Sequence, residues 1–91
     1  GTMSLEGPHI LRCDMKRLMK QEALQCVRFA CRKFKTSKAM AMYIKNRFDK
    51  VYGSNWNCIV GKDFGSHVTF CRLTFFHATY GERAVLLFQT Y

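Results

Sequence analysis

Between residues 14 and 34, apolar side chains recur at steps of three and four. Met19, Ala23, Cys26, Val27, Ala30 and Phe34 fall along one face. That period predicts a helix, with Asp14 as its N-cap and with Arg17, Lys20, Arg28 and Lys35 largely on the opposite side. Thr36-Ser37 interrupts the pattern, and Ser37 is a suitable cap for a second helix. Its stripe is Ala41, Ile44, Phe48 and Val51, with Met40 at the margin. Gly53 ends that helix, as a left-handed C-terminal position requires, and Lys50 near this end suits the helix dipole.

Beyond Gly53 the period changes to two. Trp56 to Val60, Phe64 to Phe70, Leu73 to Tyr80 and Ala84 to Gln89 read as four strands, with Tyr80-Gly81-Glu82 as the turn between the last two. In the second strand Phe64, Ser66, Val68 and Phe70 share one side, and Gly65, His67 and Thr69 the other. Helices followed by strands predict an α+β domain with an antiparallel sheet. The Phe64 to Phe70 segment is a poor central strand, because Gly65 and Ser66 disfavour it and Gly61-Lys62-Asp63 flanks it. It suits an edge, or an arm that pairs with another chain through open N–H and C=O groups.

Residues 1 to 13 carry no periodicity. Gly1-Thr2-Met3 has the look of a tag remnant, residues 4 to 13 an N-terminal segment, and residues 14 to 91 the domain. At 91 residues a single domain is expected. The apolar share of 48% is too high for a disordered chain, and no stretch approaches the roughly 18 apolar residues of a membrane helix. Neither a membrane role nor a secretory leader is expected.

Charge changes the picture more. The net +9 lies wholly within residues 12 to 50, where twelve Lys and Arg face only Asp14, Glu22 and Asp49. Outside that stretch three basic and three acidic residues cancel. A nucleic-acid role by phosphate neutralisation is one reading of the basic half. The aromatics, however, fall at core and strand spacing rather than as a base-stacking platform. A solvated face or an acidic partner accounts for the charge as well, so nucleic acid is not the expected partner.

Five cysteines, at 13, 26, 31, 58 and 71, are odd in number and contain no CxxC pair. Free, mostly buried thiols are expected rather than a disulfide framework or a zinc site. His67 and Cys71 share a side by alternation. A cysteine enzyme would also need an orienting group and an oxyanion site, and neither is evident, so no catalytic residue, metal or cofactor is expected. No D-x-[DN]-x-[DN]-G loop occurs, which excludes an EF-hand in these residues.

The run Tyr43-Ile44-Lys45-Asn46-Arg47-Phe48-Asp49-Lys50, then Tyr52, resembles the second helix of the small cytoplasmic dynein light chains. Trp56-Asn57-Cys58-Ile59-Val60-Gly61-Lys62-Asp63-Phe64-Gly65-Ser66 resembles that family's W-x-C-I-V-G-x-x-F-G-S signature. Gly81, Ala84, Leu86, Leu87 and Phe88 extend the match, which covers about residues 11 to 91. The resemblance implies two helices packed on each face of a homodimeric β-sandwich, with one strand exchanged between protomers. Two grooves would each accept an extended peptide as an added strand. The implied role is a cytoplasmic, cytoskeleton-associated dimerising hub or motor light chain, with the dynein intermediate chain among its partners. Relatives also occur as C-terminal modules of EF-hand (tegumental) calcium-binding proteins of flatworms, and that is a second implied setting.

Carried over residue by residue, the groove comprises Lys38, Phe64, Gly65, Ser66, His67, Val68, Thr69, Phe70, Phe75, His77 and Ala84. Lys38 would meet a ligand glutamine, and Phe75 and Ala84 would form the floor. The dimer interface comprises Asn57, Lys62, Phe64, Ser66 and Val68. Departures from the family pattern fall on side chains: Ser37 for an acidic residue, His67 and His77 for tyrosines, Phe70 for a histidine, Thr79 for a tyrosine. Asn57 stands where typical members carry an interface histidine. Backbone pairing tolerates such changes, whereas peptide selectivity does not.

Overall fold

The computed structural model describes residues 7–62 and 68–91. Its elements run β1 (His9–Cys13), α1 (Arg17–Lys33), α2 (Ser37–Tyr52), β2 (Trp56–Gly61), β3 (Phe76–Tyr80) and β4 (Arg83–Gln89). The strands form one antiparallel sheet in the order β1-β3-β4-β2. The two helices cover one of its sides.

α1 buries the centre of its expected stripe, whereas on α2 Ile44 and Phe48 are buried but Met40, expected at the margin, joins the core at 3% exposed and Val51, expected on the stripe, is 49% exposed. Ala23, Cys26, Val27 and Ala30 of α1 and Met40, Ile44 and Phe48 of α2 meet the sheet side chains Trp56, Phe76, Ala78, Tyr80, Val85 and Leu87. The edge-on pair Phe48–Trp56, 4.8 Å between centroids, anchors α2 to the start of β2. Asp49 ties the same junction by accepting the Trp56 backbone N–H at 3.1 Å.

The helix caps differ from the sequence expectation. Asp14 does not cap α1, whose N-cap is Lys16 with no side-chain bond. The Asp14 carboxylate accepts instead from the backbone N–H of Leu73 (3.0 Å) and Phe75 (2.8 Å), far along the chain. Thr36, not Ser37, caps α2, accepting from the Ala39 N–H at 3.1 Å. Ser37 is the first helical residue, and its hydroxyl accepts from the Arg83 guanidinium. Gly53 follows α2 at φ +92° and ψ 179°, a conformation nearly reserved for glycine.

The strands differ as well. β1 arises in the stretch that carries no period. Four of its five residues are exposed, so it shows no buried alternation to read. The third expected strand begins at Phe76 rather than Leu73, because Leu73 takes φ +64° and Asp14 holds the backbone of 73 and 75. Of the second expected strand, Phe64, Gly65, Ser66 and His67 lie outside the described residues. Val68, Thr69 and Phe70 belong to no strand, and the chain rejoins the sheet through the Cys71 N–H on the Gln89 carbonyl, at 2.7 Å. Gly81, at φ +61°, makes the two-residue β3–β4 turn that the sequence predicts.

Candidate functional site

The side of the sheet away from the helices is built by alternation. Ala84, Leu86 and Phe88 of β4 stand beside His77 and Thr79 of β3 and beside Asn57, Ile59 and Gly61 of β2. Among the described residues no helix covers this side, yet β4 is buried through its centre. Phe75, Leu86 and Phe88 form a second small core, with Val68 and Phe70 packed on it. Phe70 lies 4.6 Å from Phe75, and the Arg12 guanidinium lies over the Phe75 ring at 4.9 Å. Val68 and Phe70 thus cover part of the helix-free side from within the chain.

Several expected site residues meet here. Val68, Phe70, Phe75, His77 and Ala84 share this side, and the Phe75 and His77 rings stand edge-on at 6.5 Å. Phe75 and Ala84, expected as a groove floor, are 1% and 9% exposed in the single chain. Burial lowers the pKa of His77. Lys38 sits on the first turn of α2. The Ser37–Arg83 bond draws that turn against the start of β4, next to Ala84. Asn57 lies opposite Phe88, and its amide donates to the Asn55 carbonyl at 3.1 Å. Lys62 lies elsewhere, lining a concavity of about 320 Å³ with Cys31, Tyr80, Glu82 and Arg83. Thr69 is exposed. Phe64, Gly65, Ser66 and His67, expected in the groove or the interface, lie outside the described residues.

The two sheet edges differ in a way that the sequence reading did not separate. β1 carries Arg12 and a register shift between Ile10 and Arg12, devices that blunt an edge. β2 pairs with β4 over all six residues, carries no charge and leaves Ile59 44% exposed. Its other edge has no strand beside it among the described residues. The missing charge in Trp-Asn-Cys-Ile-Val-Gly was the available signal.

Cys13, Cys26, Cys31 and Cys58 are poorly suited to nucleophilic chemistry. Burial raises the pKa of Cys13, Cys31 and Cys58, and burial together with Glu22 pushes Cys26 up to about 12. No group of three or more His, Cys, Asp or Glu that could hold a metal occurs among the described residues. No described helix is long and apolar enough to cross a membrane.

Comparison with known proteins gives these features a family. The profile of Dynein light chain type 1 matches residues 7–90. The cytoplasmic dynein light chain of Emericella nidulans is 41% identical over 83 residues, covering 91% of this chain and 88% of that one. Among solved structures, the dynein light chain-like domain of the Fasciola hepatica calcium binding protein FhCaBP2 superposes with a TM-score of 0.82 at 19% identity, covering 94% of this chain and 93% of that one. The dynein light chain-like domain of CsTAL3 gives 0.73 at 20% identity, over 89% and 90%. These two likenesses concern the fold, while the profile and the fungal sequence settle the lineage: the chain belongs to the dynein light chain type 1 family.

Proposed function

We propose that this protein is a non-catalytic interaction module of the cytoplasm. It pairs with a second copy through the outer edge of β2 and takes extended segments of partner proteins as an added strand. Its role is that of a dimerising hub or motor light chain, and the dynein intermediate chain is the first partner to try. The observation that carries this reading is the β2 edge: six residues long, uncharged, with Ile59 exposed on the helix-free side. A long apolar edge of this kind is an aggregation hazard unless another strand completes it. Main-chain pairing then supplies affinity, and neighbouring side chains supply selectivity. In this reading the arm around Phe64, Gly65, Ser66 and Val68 completes the partner's sheet, with Asn57 and Lys62 at the interface. Lys38, His67, Thr69, Phe70, Phe75, His77 and Ala84 border the peptide.

A second reading is favoured by the TM-score of 0.82 to the FhCaBP2 domain. The chain would then serve as the light-chain-like part of a calcium-binding protein, with altered peptide choice.

Light scattering together with a peptide array tests the proposal. Wild type is expected at twice the mass of one chain and to retain a subset of extended peptides. Ile59→Lys places a charge on the exposed edge and is expected to give monomers that retain none. A wild-type monomer that is blind to the whole array would refute it.

A further inference from the structure

The outward side of α1 has features that the sheet-side reading leaves unused. Ala23, Cys26, Val27 and Ala30 turn inward, so the opposite side of the helix carries Arg17, Leu18, Gln25, Arg28, Phe29 and Arg32. Leu18 is 81% and Phe29 47% exposed. They lie eleven residues apart, three helical turns or about 16 Å, so they stand nearly in line with Gln25 between them. Phe29 leans on Tyr43 of α2 at 5.0 Å. Beside it, Gln25, Cys26, Phe29, Tyr43, Glu22 and Arg47 border a concavity of about 280 Å³ in the seam between the helices. Gln25, Arg28, Phe29, Arg32 and Lys33 also line a shared hollow on the outer side.

The acids of this half are already engaged within the chain. Asp14 takes two backbone N–H groups, Glu22 takes Arg47 at 3.0 Å, and Asp49 takes Lys45 and the Trp56 N–H. α1 has no acid in its first turn. Arg32 and Lys33 suit the dipole at its C-terminal end. That accounts for neither Arg17 and Arg28 nor the two exposed apolar side chains between the cations.

We infer that this side of α1 docks an acidic polypeptide segment whose apolar side chains cover Leu18 and Phe29 while its carboxylates meet Arg17, Arg28 and Lys33; Arg32 is held by its own bond to the Tyr80 hydroxyl, at 2.9 Å. Charge complementarity selects an anionic partner. The aliphatic Leu18 then selects polypeptide over nucleic acid, because a phosphate backbone gains nothing from it. One face of Phe29 is turned to Tyr43, which leaves little of a stacking platform for bases. The site lies on the helical layer, across the sheet from the groove, so both can be occupied together.

Fluorescence anisotropy at physiological ionic strength tests this with three probes. The first is a labelled helix-forming peptide rich in glutamate, with two leucines three turns apart on one side. The second is its twin with both leucines changed to alanine, and the third is a short mixed-sequence DNA duplex. The leucine peptide is expected to bind roughly tenfold tighter than its twin, a typical return for apolar anchors inside a charged rim, and tighter than the duplex. Arg28→Glu and Leu18→Ser, both at exposed positions, are expected to cost about tenfold each with unchanged helical circular dichroism. Equal binding of the twins, tighter binding of the duplex, no binding of the leucine peptide, or indifference to both variants would each overturn the inference.

Discussion

His77 stands on the helix-free side of β3, with Leu86 opposite on β4, Arg12 opposite on β1 and the Phe75 ring edge-on. Desolvation by burial lowers its pKa from the usual 6.5. The unfolded chain therefore binds this proton more readily than the folded one. Stability is intact above the ordinary histidine value, is lost as the pH falls through it, and levels off below the depressed folded value. Urea midpoints at pH values on either side of 6.5 are expected to fall on acidification in wild type and to fall less in His77→Gln. Equal drops in the two proteins would show that His77 does not carry the effect. In the proposed groove, protonation of His77 next to Arg12 would add a second positive charge on one side of the sheet, so acid should shift peptide choice toward acidic side chains.

At the scale of elements, the junctions decide the architecture. Asp14 sits between β1 and α1 and accepts from the N–H groups of Leu73 and Phe75, while its own N–H donates to the Phe75 carbonyl at 3.1 Å. One side chain thereby sets where the loop before β3 ends and holds Leu73 at φ +64°, an uncommon conformation for a bulky residue. Asp14→Ala leaves two backbone donors without their acceptor and is expected to cost about 1–3 kcal/mol by urea unfolding, with Asp14→Asn recovering part of it. An unchanged midpoint would show that the strand start is fixed elsewhere.

This junction also shows what the chain discloses by pattern and what it does not. The helices were legible because Ala23, Cys26, Val27 and Ala30, and Ile44 and Phe48, must share a buried face, and that constraint leaves a period. β1 left none, since it is an exposed edge strand. Asp14 before a helical run reads as a cap until its long-range donors are known. Of the site, the alternation after Gly53 gave β2 as a strand holding Asn57, while its place at the sheet's edge was not read, since the sequence assigned the edge to Phe64 to Phe70. That Phe70 and Val68 cover Phe75 and Leu86 depends on tertiary packing, which no local spacing encodes.

For the whole molecule, the sheet separates two unlike sides: a helical layer holding the chain's surplus charge, and a nearly uncharged, aromatic-rich side ending at the β2 edge. The proposed twofold assembly through that edge would bury the nearly uncharged side and leave the helical cations outside, so dimer formation need not bring like charges together. Asn57 lies on β2 at this edge, neutral at every physiological pH, with its amide already donating to Asn55 and to the Thr90 hydroxyl at 3.4 Å. In the proposed dimer a histidine at this position would gain a proton in mild acid and add like charges at the interface. Sedimentation at about pH 7 and about pH 5, the range in which an ordinary histidine charges, is therefore expected to show the same dimer fraction in wild type and dissociation in Asn57→His. The His77 effect does not imitate this result. Loss of fold stability lowers the unfolding midpoint at any concentration, whereas dissociation at the interface reverses when the protein is concentrated. A wild-type dimer that comes apart at the lower pH and reforms on concentration would place a titrating group at the interface other than residue 57, with His67 the first to substitute.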